Sequence, residues 1–346
     1  MMKIRTISVC GLFGRHDHTV NMFGEGITYI HSPNGCGKST LIKMIHLLFT
    51  GDTKELKNAV FERMDISLSD DTNIIVERTE NELFIQMQRN ELETEISANE
   101  LSSILRTTFI GAERTFTADP GGRMVNAAES YAHELSAKLI TAKGYRKLVV
   151  PPGGGRQEGD ELVFKAKDLN AKLNFIRDAG FDIDIPSGLR FPPSRYDLME
   201  SEKEYTDLIR GVDEFVGRNY YLSESVIVLR DIMNSFLFDK EMKIDGNDHI
   251  VFLLDNGTTL PLVNLSSGEK QIFIMFYRLL FETPPSSFVI IDEPEISLHV
   301  SWQQRMGEAL KGVARLRDLQ ILAATHSPQI VHDDWDLTNE LEAGRA

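Results

Sequence analysis

The apolar residues at the start of the chain follow first a strand pattern and then a helix pattern. Short apolar runs within residues 3–31 are separated by glycine-containing turns, and residues 27–30 are rich in β-forming side chains. From Lys38 onward, apolar residues recur at roughly helical spacing. The pattern therefore predicts a strand, a loop and a helix in that order.

The next segment predicts antiparallel strands. Apolar and polar residues alternate through residues 72–92, with a turn at 80–81, as in a β-hairpin. Residues 98–106 predict a short helix, and residues 108–110 predict a further strand. Together with the first strands, the hairpin favours an antiparallel β subdomain.

The middle of the chain has a different pattern. Residues 122–240 are mostly helical in periodicity, with breaks at the Pro- and Gly-rich residues 151–155 and at residues 191–193. The segment has no internal repeat and no heptad pattern sustained over several heptads, so a long coiled coil is not expected. A helical insertion is the predicted structure.

Strands and helices alternate again near the end of the chain. A hairpin is predicted around residues 255–257, a helix from about residue 268 to 281, and a buried strand over residues 288–291. Another helix and a last strand over residues 320–324 follow. The predicted fold class is α/β with a mixed sheet, an antiparallel β subdomain and a helical insertion. The predicted domains are lobe I (1–121), the insertion (122–241) and lobe II (242–346).

Composition narrows the functional classes. The 346 residues include 37 basic and 52 acidic side chains, for a net charge of −15. This balance argues against broad DNA binding, although a local basic groove stays open. No apolar run reaches membrane-spanning length, the N-terminus lacks a signal-peptide pattern, and the two cysteines form no disulfide framework. We therefore expect a soluble, cytoplasmic protein.

Residues 32–40 have the spacing of a phosphate-binding P-loop between a strand and a helix. Gly35 and Gly37 allow backbone N–H groups to converge at the positive end of the helix. Lys38 can reach the β- and γ-phosphates of a nucleotide, and the Ser39 hydroxyl can bind Mg²⁺. The residues predicted to bind ATP are Asn34, Gly35, Cys36, Gly37, Lys38, Ser39 and Thr40.

Two details of this loop, and one residue before it, leave alternatives open. Ser32 stands where a P-loop usually begins with glycine, and a small residue suffices there. Cys36 is interpreted as a tolerated small residue rather than as a redox switch. Arg15 follows a predicted turn, from which it could approach a phosphate.

An acidic pair follows the apolar strand over residues 288–291. Asp292 and Glu293 would lie at the carboxyl edge of the sheet, where open α/β sheets bind ligands. Asp292 is suited to hold Mg²⁺, and Glu293 to polarise an attacking water. A pair of capping acids at a strand end is the alternative, and the presence of the P-loop weighs against it.

Two further motifs lie in the α/β segment near the end of the chain. Ser266, Ser267, Gly268 and Glu269 open a helix, where they could bind an anion or form an ordinary capping box, and both roles are compatible. His326 follows the last strand and could contact a γ-phosphate, whereas a purely structural histidine is the alternative. The spacing leaves room for one helix and one strand between Ser266 and Asp292, and again between Asp292 and His326.

These four motifs, in this order, resemble the ABC ATPase superfamily. There they are the Walker A loop, the signature motif, Walker B with its catalytic glutamate, and the switch histidine. The resemblance implies an ABC ATPase head in which Glu293 and His326 are catalytic, with ATP and Mg²⁺ as ligands. It also implies a nucleotide-sandwich dimer, in which the signature of one protomer acts in trans on the ATP of the other.

Within the superfamily the motifs look like those of compact SMC-related and overcoming-lysogenization-defect (OLD) ATPases. The shared features are residues 265–269, 292–299 and 325–328. The resemblance covers residues 1–50 and 245–330 well, and it covers the residues between them poorly. The family's glutamine loop has no clear counterpart, because the segment Phe109, Ile110, Gly111, Ala112, Glu113 and Arg114 occupies a plausible place without a glutamine.

The resemblance extends to stand-alone ATPases of bacterial anti-phage systems such as Septu and PARIS. Only 20 residues follow His326, too few for the TOPRIM nuclease domain of OLD proteins, so we expect any nuclease or TOPRIM-type effector to be a separate chain. A DNA-repair or chromosome-maintenance ATPase of SMC-related type is the alternative. Nucleic acid is left open as a partner, and a membrane is not expected.

Overall fold

The computed structural model describes residues 2–24, 26–33, 35–79, 82–90, 92–119, 121–144, 146–151 and 159–341. The strands are β1 (Ile4–Leu12), β2 (His16–Asn21), β3 (Ile27–His31), β4 (Arg63–Leu68), β5 (Asn73–Arg78), β6 (Leu83–Arg89), β7 (Leu92–Glu95), β8 (Thr107–Ile110), β9 (Phe116–Ala118), β10 (Met124–Asn126), β11 (Lys240–Ile244), β12 (Ile250–Leu254), β13 (Thr259–Pro261), β14 (Phe288–Asp292), β15 (Gln320–Thr325) and β16 (Thr338–Glu340).

The α-helices are α1 (Lys38–Thr50), α2 (Thr53–Leu56), α3 (Ala98–Ile104), α4 (Ala127–Lys143), α5 (Gly159–Asp178), α6 (Arg195–Glu200), α7 (Glu202–Phe236), α8 (Ser267–Tyr277), α9 (Val300–Arg317) and α10 (Pro328–Val331). A π-helical turn, Arg278–Glu282, continues α8. None of the helices in the described part of the chain combines the length and apolar character needed to cross a bilayer.

The residues form two compact units. The first comprises Met1–Phe116 and Ser266–Ala346, and the second comprises Thr117–Leu265. All four sequence motifs belong to the first unit.

A five-stranded parallel sheet organises the first unit, in the order β16-β3-β15-β14-β8. Its register pairs Thr325 with His31 and Asp292 with Ala324, so the carboxyl ends of β3, β14 and β15 meet at one edge. The strands β14 and β15 are entirely buried, which explains their continuous apolar runs. This edge receives the loops that carry the P-loop, the acidic pair and His326.

A six-stranded antiparallel sheet, ordered β2-β1-β4-β5-β6-β7, lies in the same unit. Its inward side chains join α1 and the parallel sheet in one apolar core, which includes Ile7, Ile66, Leu48 and Ile290. Helix α1 also packs against β8, β14 and β15. The P-loop therefore leads into a helix that is held on its apolar face by both sheets.

The second unit contains the helices α4–α7 and the antiparallel sheet β11-β12-β13. Its longest helix, α7, has 35 residues and packs against α5. Strand β11 is tied to α7, because the Met242 N–H donates to the Asn234 side chain at 2.7 Å. This division differs from the predicted one, in which residues 242–265 belong to lobe II.

The predicted fold class is confirmed: the chain has a P-loop, a parallel sheet, an antiparallel β subdomain and a helical insertion. The hairpin is present as β5 and β6, whereas its turn at residues 80–81 lies outside the described residues. Most of the predicted break at residues 151–155 also lies outside them. The short strands β9 and β10 fall at the junction with the predicted insertion and were not expected from the sequence.

Candidate nucleotide-binding site

A cavity of about 650 Å³ opens at the carboxyl edge of the parallel sheet. It is lined by Phe13, Arg15, Gly35, Gly37, Lys38, Ser39, Thr40 and His326. Five of these residues belong to the predicted P-loop, and His326 comes from the end of β15. The structure thus brings two of the predicted motifs to one concave surface.

The backbone of the P-loop explains its glycines. Gly35 and Gly37 both have positive φ, at 91° and 84°, a conformation that side chains disfavour. A Cβ on Gly37 would also lie 2.7 Å from the Leu12 side chain. The carbonyl of Cys36 contacts the buried His18 ring, with Nε2 at 2.8 Å. Asn34, which was predicted to bind ATP, lies outside the described residues.

Lys38 begins α1 and is 5% exposed. Its ammonium donates to the Ser32 carbonyl at 2.8 Å and to the Ser32 hydroxyl at 3.0 Å. Burial lowers the pKa of Lys38, while the neighbouring acids Glu293 and Asp292 oppose that effect. A cation held among acceptor oxygens at the cavity wall is suited to bind phosphate.

Ser39 joins the P-loop to the acidic pair. Its hydroxyl donates to Asp292 Oδ1 at 3.2 Å. Burial raises the pKa of Asp292, and the hydrogen bond from Ser39 opposes this rise. A hydroxyl and a carboxylate are the hard oxygen ligands that Mg²⁺ prefers, so the two side chains fit the predicted metal site.

His326 stands between Lys38 and Glu293. The distance from His326 Nδ1 to Lys38 Nζ is 3.2 Å, and the distance from Nε2 to the Glu293 carboxylate is 4.0 Å. Because the ammonium can only donate, Nδ1 is the acceptor in this contact, which leaves Nε2 as the ring nitrogen that faces Glu293. About a third of each side chain is exposed, at 35% and 36%, so a water molecule can reach them.

Two charged residues in this region had no predicted role. Glu295 accepts hydrogen bonds from the backbone N–H of His326 at 2.7 Å and from the Thr325 hydroxyl at 2.7 Å. Arg114 donates to the backbone carbonyls at the end of β14 and just beyond it, those of Asp292, Glu293 and Pro294, at 3.3–3.4 Å. The only sequence signals were the position of Glu295 close behind the acidic pair and that of Arg114 shortly after β8.

The segment 109–114, weighed as a glutamine loop, begins within β8 and continues beyond it at the site edge, because β8 pairs with β14. The side chain of Arg114 contacts the backbone after β14 and does not line the cavity described here. Phe13, which was not singled out in the sequence, lines the cavity and is 43% exposed. Arg15, left open in the sequence, also lines it.

The motif 266–269 forms the start of α8. Ser266 and Glu269 make a capping box: the Ser266 N–H donates to the Glu269 carboxylate at 2.8 Å, and the Glu269 N–H donates to the Ser266 hydroxyl at 3.3 Å. Gly268 approaches the Ser297 carbonyl so closely that a Cβ would be 2.7 Å away. Ser266 and Ser267 are exposed, and neither lines the P-loop cavity of their own chain among its described walls.

Two family models match the chain. One, described as "AAA domain, putative AbiEii toxin, Type IV TA system", matches residues 166–332. The other, described as an AAA domain, matches residues 6–136. The first match includes the acidic pair and His326, and the second includes the P-loop.

The chain is similar to proteins of several bacterial systems. It is 24% identical to the Septu protein PtuA of Bacillus thuringiensis, over 96% of this chain and 73% of that protein. It is 30% identical to the Retron Ec83 probable ATPase of Escherichia coli, over 32% of this chain and 22% of that protein. It is 28% identical to the Retron Vc95 probable ATPase of Vibrio cholerae serotype O1 biovar El Tor, over 33% of this chain and 25% of that protein. The retron matches thus span a quarter or less of their own length.

Among solved structures, an Smc head domain from Pyrococcus furiosus, bound to the C-terminal domain of ScpA, aligns with a TM-score of 0.48 at 12% identity. The alignment covers 96% of this chain and 91% of that one. The match to PtuA confirms the predicted resemblance to the ATPases of the Septu type, and the two retron relatives are likewise described as probable ATPases.

Proposed function

We propose that the chain binds ATP with Mg²⁺ in the P-loop cavity and hydrolyses it to ADP and phosphate. The observation that carries this proposal is the convergence of Lys38, the Ser39–Asp292 pair and the Glu293–His326 pair at one sheet edge. Each pair joins residues far apart in sequence, so their meeting does not follow from local structure. A cavity of about 650 Å³ beside them has room for a nucleotide.

Each residue has a role that its environment supports. The N–H groups at the start of α1 and the Lys38 ammonium bind the phosphates. Ser39 and Asp292 hold Mg²⁺, which neutralises phosphate charge when bound. Glu293 accepts a proton from the attacking water, and the Nε2–H of His326 lies close enough to orient the water or the γ-phosphate. Arg15 and Phe13 supply a further cation and an aromatic surface at the cavity wall.

A second copy of the chain completes the site in this proposal. Ser266 and Ser267 are exposed at the N-terminus of the 11-residue helix α8, where backbone N–H groups and the helix dipole favour an anion. They do not line the cavity of their own chain, so they are free to serve the γ-phosphate bound by a partner. The working assembly is therefore a homodimer with two composite sites.

The cellular role that fits this site is an ATPase subunit that controls a separate effector in anti-phage defence. The match to PtuA over 96% of the chain supports this role, as do the shorter matches to retron ATPases. A nuclease or TOPRIM-type partner is the effector that the resemblance implies. The SMC-related repair role stays a prediction.

The Glu293→Gln variant tests the proposed activity. It should bind ATP with Mg²⁺ like the wild type in calorimetry, because the P-loop and metal ligands are intact. Its rate of phosphate release should fall by about 10²-fold or more, since the amide cannot take a proton. Hydrolysis at the wild-type rate would place the base elsewhere, and a wild-type protein without ATP hydrolysis would overturn the proposal.

A further inference from the structure

We propose that Arg114 and Glu295 are positioning residues for hydrolysis. They fix the relative positions of Glu293 and His326 without touching the nucleotide. The inference rests on the proposed ATPase function and adds two residues to it. Neither residue belongs to the P-loop, the acidic pair or the signature. Both are joined by hydrogen bonds to the backbone of the residues that carry the chemistry.

Arg114 fixes the backbone around Glu293. Its Nη1 donates to the Asp292 carbonyl at 3.4 Å, and its Nη2 donates to the carbonyls of Glu293 at 3.4 Å and Pro294 at 3.3 Å. Three successive carbonyls therefore point to one guanidinium. Glu293 itself has a φ of 46°, a strained conformation for a residue with a side chain. The three hydrogen bonds from Arg114 stabilise that conformation and so fix the direction of the Glu293 carboxylate.

Glu295 fixes the backbone around His326. One carboxylate oxygen, Oε1, accepts from the Thr325 hydroxyl at 2.7 Å, from the His326 N–H at 2.7 Å and from the Ser327 N–H at 3.1 Å. Bonds of this kind to a carboxylate are about twice as strong as neutral ones. Glu295 lies two residues beyond Glu293, the candidate base. The loop after β14 therefore carries the base and, through Glu295, also binds the backbone of the loop that contains His326.

The two positioning residues support each other electrostatically. Arg114 is 4% exposed, and burial lowers its pKa to about 10, so it remains a cation at neutral pH. The negative charge of Glu295 is the largest influence opposing this fall. A buried cation without a nearby anion is costly, which explains why an arginine and a glutamate occur together here. Their combined effect is to hold the Glu293–His326 separation of 4.0 Å.

Steady-state ATP hydrolysis by Glu295 and Arg114 variants tests the inference. Glu295→Ala should lower kcat by about 10²-fold, because misplacement of a catalytic group by about 1 Å has that effect. KM should stay within about threefold, since no group that binds ATP is removed. Glu295→Gln keeps an acceptor oxygen but loses the negative charge beside Arg114, so its kcat should lie between those of Glu295→Ala and the wild type. Arg114→Met should lower kcat in the same way, with Arg114→Lys intermediate.

Glu308→Ala is the matched control, because Glu308 is 73% exposed on α9 and pairs with Lys311 outside the cavity. It should leave kcat unchanged. If the wild type hydrolyses ATP and Glu295→Ala keeps the wild-type kcat, the positioning roles are overturned and the proposed ATPase function stands. A raised KM with unchanged kcat in Glu295→Ala has the same consequence. A wild type that hydrolyses no ATP overturns both proposals. Should Glu295→Ala not fold, Glu295→Asp decides: its shorter side chain must lower kcat, and wild-type kcat contradicts the inference.

Discussion

Gly268 offers a sharp test of how the signature segment is held. An alanine Cβ at this position would lie 2.7 Å from the Ser297 carbonyl and 3.4 Å from the Trp302 ring. The closer atom is a backbone oxygen rather than the end of a flexible side chain, and Ser297 already has a φ of 64°, which residues with side chains rarely adopt. The Ile296 N–H in the same turn donates to the Glu293 carbonyl at 3.1 Å. A shift of this turn would therefore reach the candidate base.

The magnitude follows from two opposing effects. Overpacking of a fixed site costs about 1–3 kcal/mol. Alanine gains about 0.5–1 kcal/mol over glycine in a helix interior, but Gly268 is the second residue of α8, so only part of that gain applies. The free energy of unfolding should fall by about 1–2 kcal/mol, which lowers Tm by about 2–4 °C per kcal/mol in a domain of this size. The rate of ATP hydrolysis should fall by more than this loss of stability alone would cause, because the displaced turn includes the Glu293 backbone.

Gly312→Ala is the control for this comparison. Gly312 lies within α9, and apart from its chain neighbours and the helix's own backbone no atom comes within 4 Å of the position its Cβ would take. The variant should gain about 0.5–1 kcal/mol and hydrolyse ATP normally. Thermal unfolding and phosphate release of the two variants measure the contrast. A Gly268→Ala protein that melts at or above the wild-type temperature would refute the predicted clash between the alanine Cβ and the Ser297 carbonyl.

The remaining predictions concern the nucleotide and the metal. Lys38→Ala should abolish tight ATP binding, since the P-loop loses its ammonium, and unchanged affinity in calorimetry would contradict the assignment. Chelation of Mg²⁺ by EDTA should stop hydrolysis. Asp292→Asn should raise the Mg²⁺ concentration needed for half-maximal rate by about tenfold or more, because the charged ligand is lost. A rate that responds to Mg²⁺ as in the wild type would exclude Asp292 as a ligand.

Much of the candidate site could be predicted because its motifs are local. The P-loop is encoded by adjacent glycines with positive φ, followed by a lysine at the helix start. The strand β14 is buried on both faces, so its apolar run and the acids behind it mark the sheet edge. The capping box of Ser266 and Glu269 is likewise a pattern of near neighbours in sequence.

The rest depends on long-range contacts that a single sequence does not encode. Arg114 meets the Asp292 carbonyl across 178 positions, and Glu295 meets His326 across 31. Nothing in the residues around Arg114 distinguishes a buried guanidinium from a surface one. Strands β9 and β10 have three residues each and no buried face, so they lack the alternation that marks a strand. The placement of residues 242–265 depended on tertiary packing against α4 and α7.

Mixing two inactive variants tests the central claim, a composite ATPase site shared by two chains. Ser266→Arg should bind ATP but not hydrolyse it, and Lys38→Ala should fail to bind it. With random pairing at equal amounts, about half of the dimers are mixed, and one of their two sites pairs an intact P-loop with an intact signature. A composite site predicts that phosphate release reappears and peaks near the equal mixture. Absence of any rescue at every ratio, in verified mixed dimers, would contradict it.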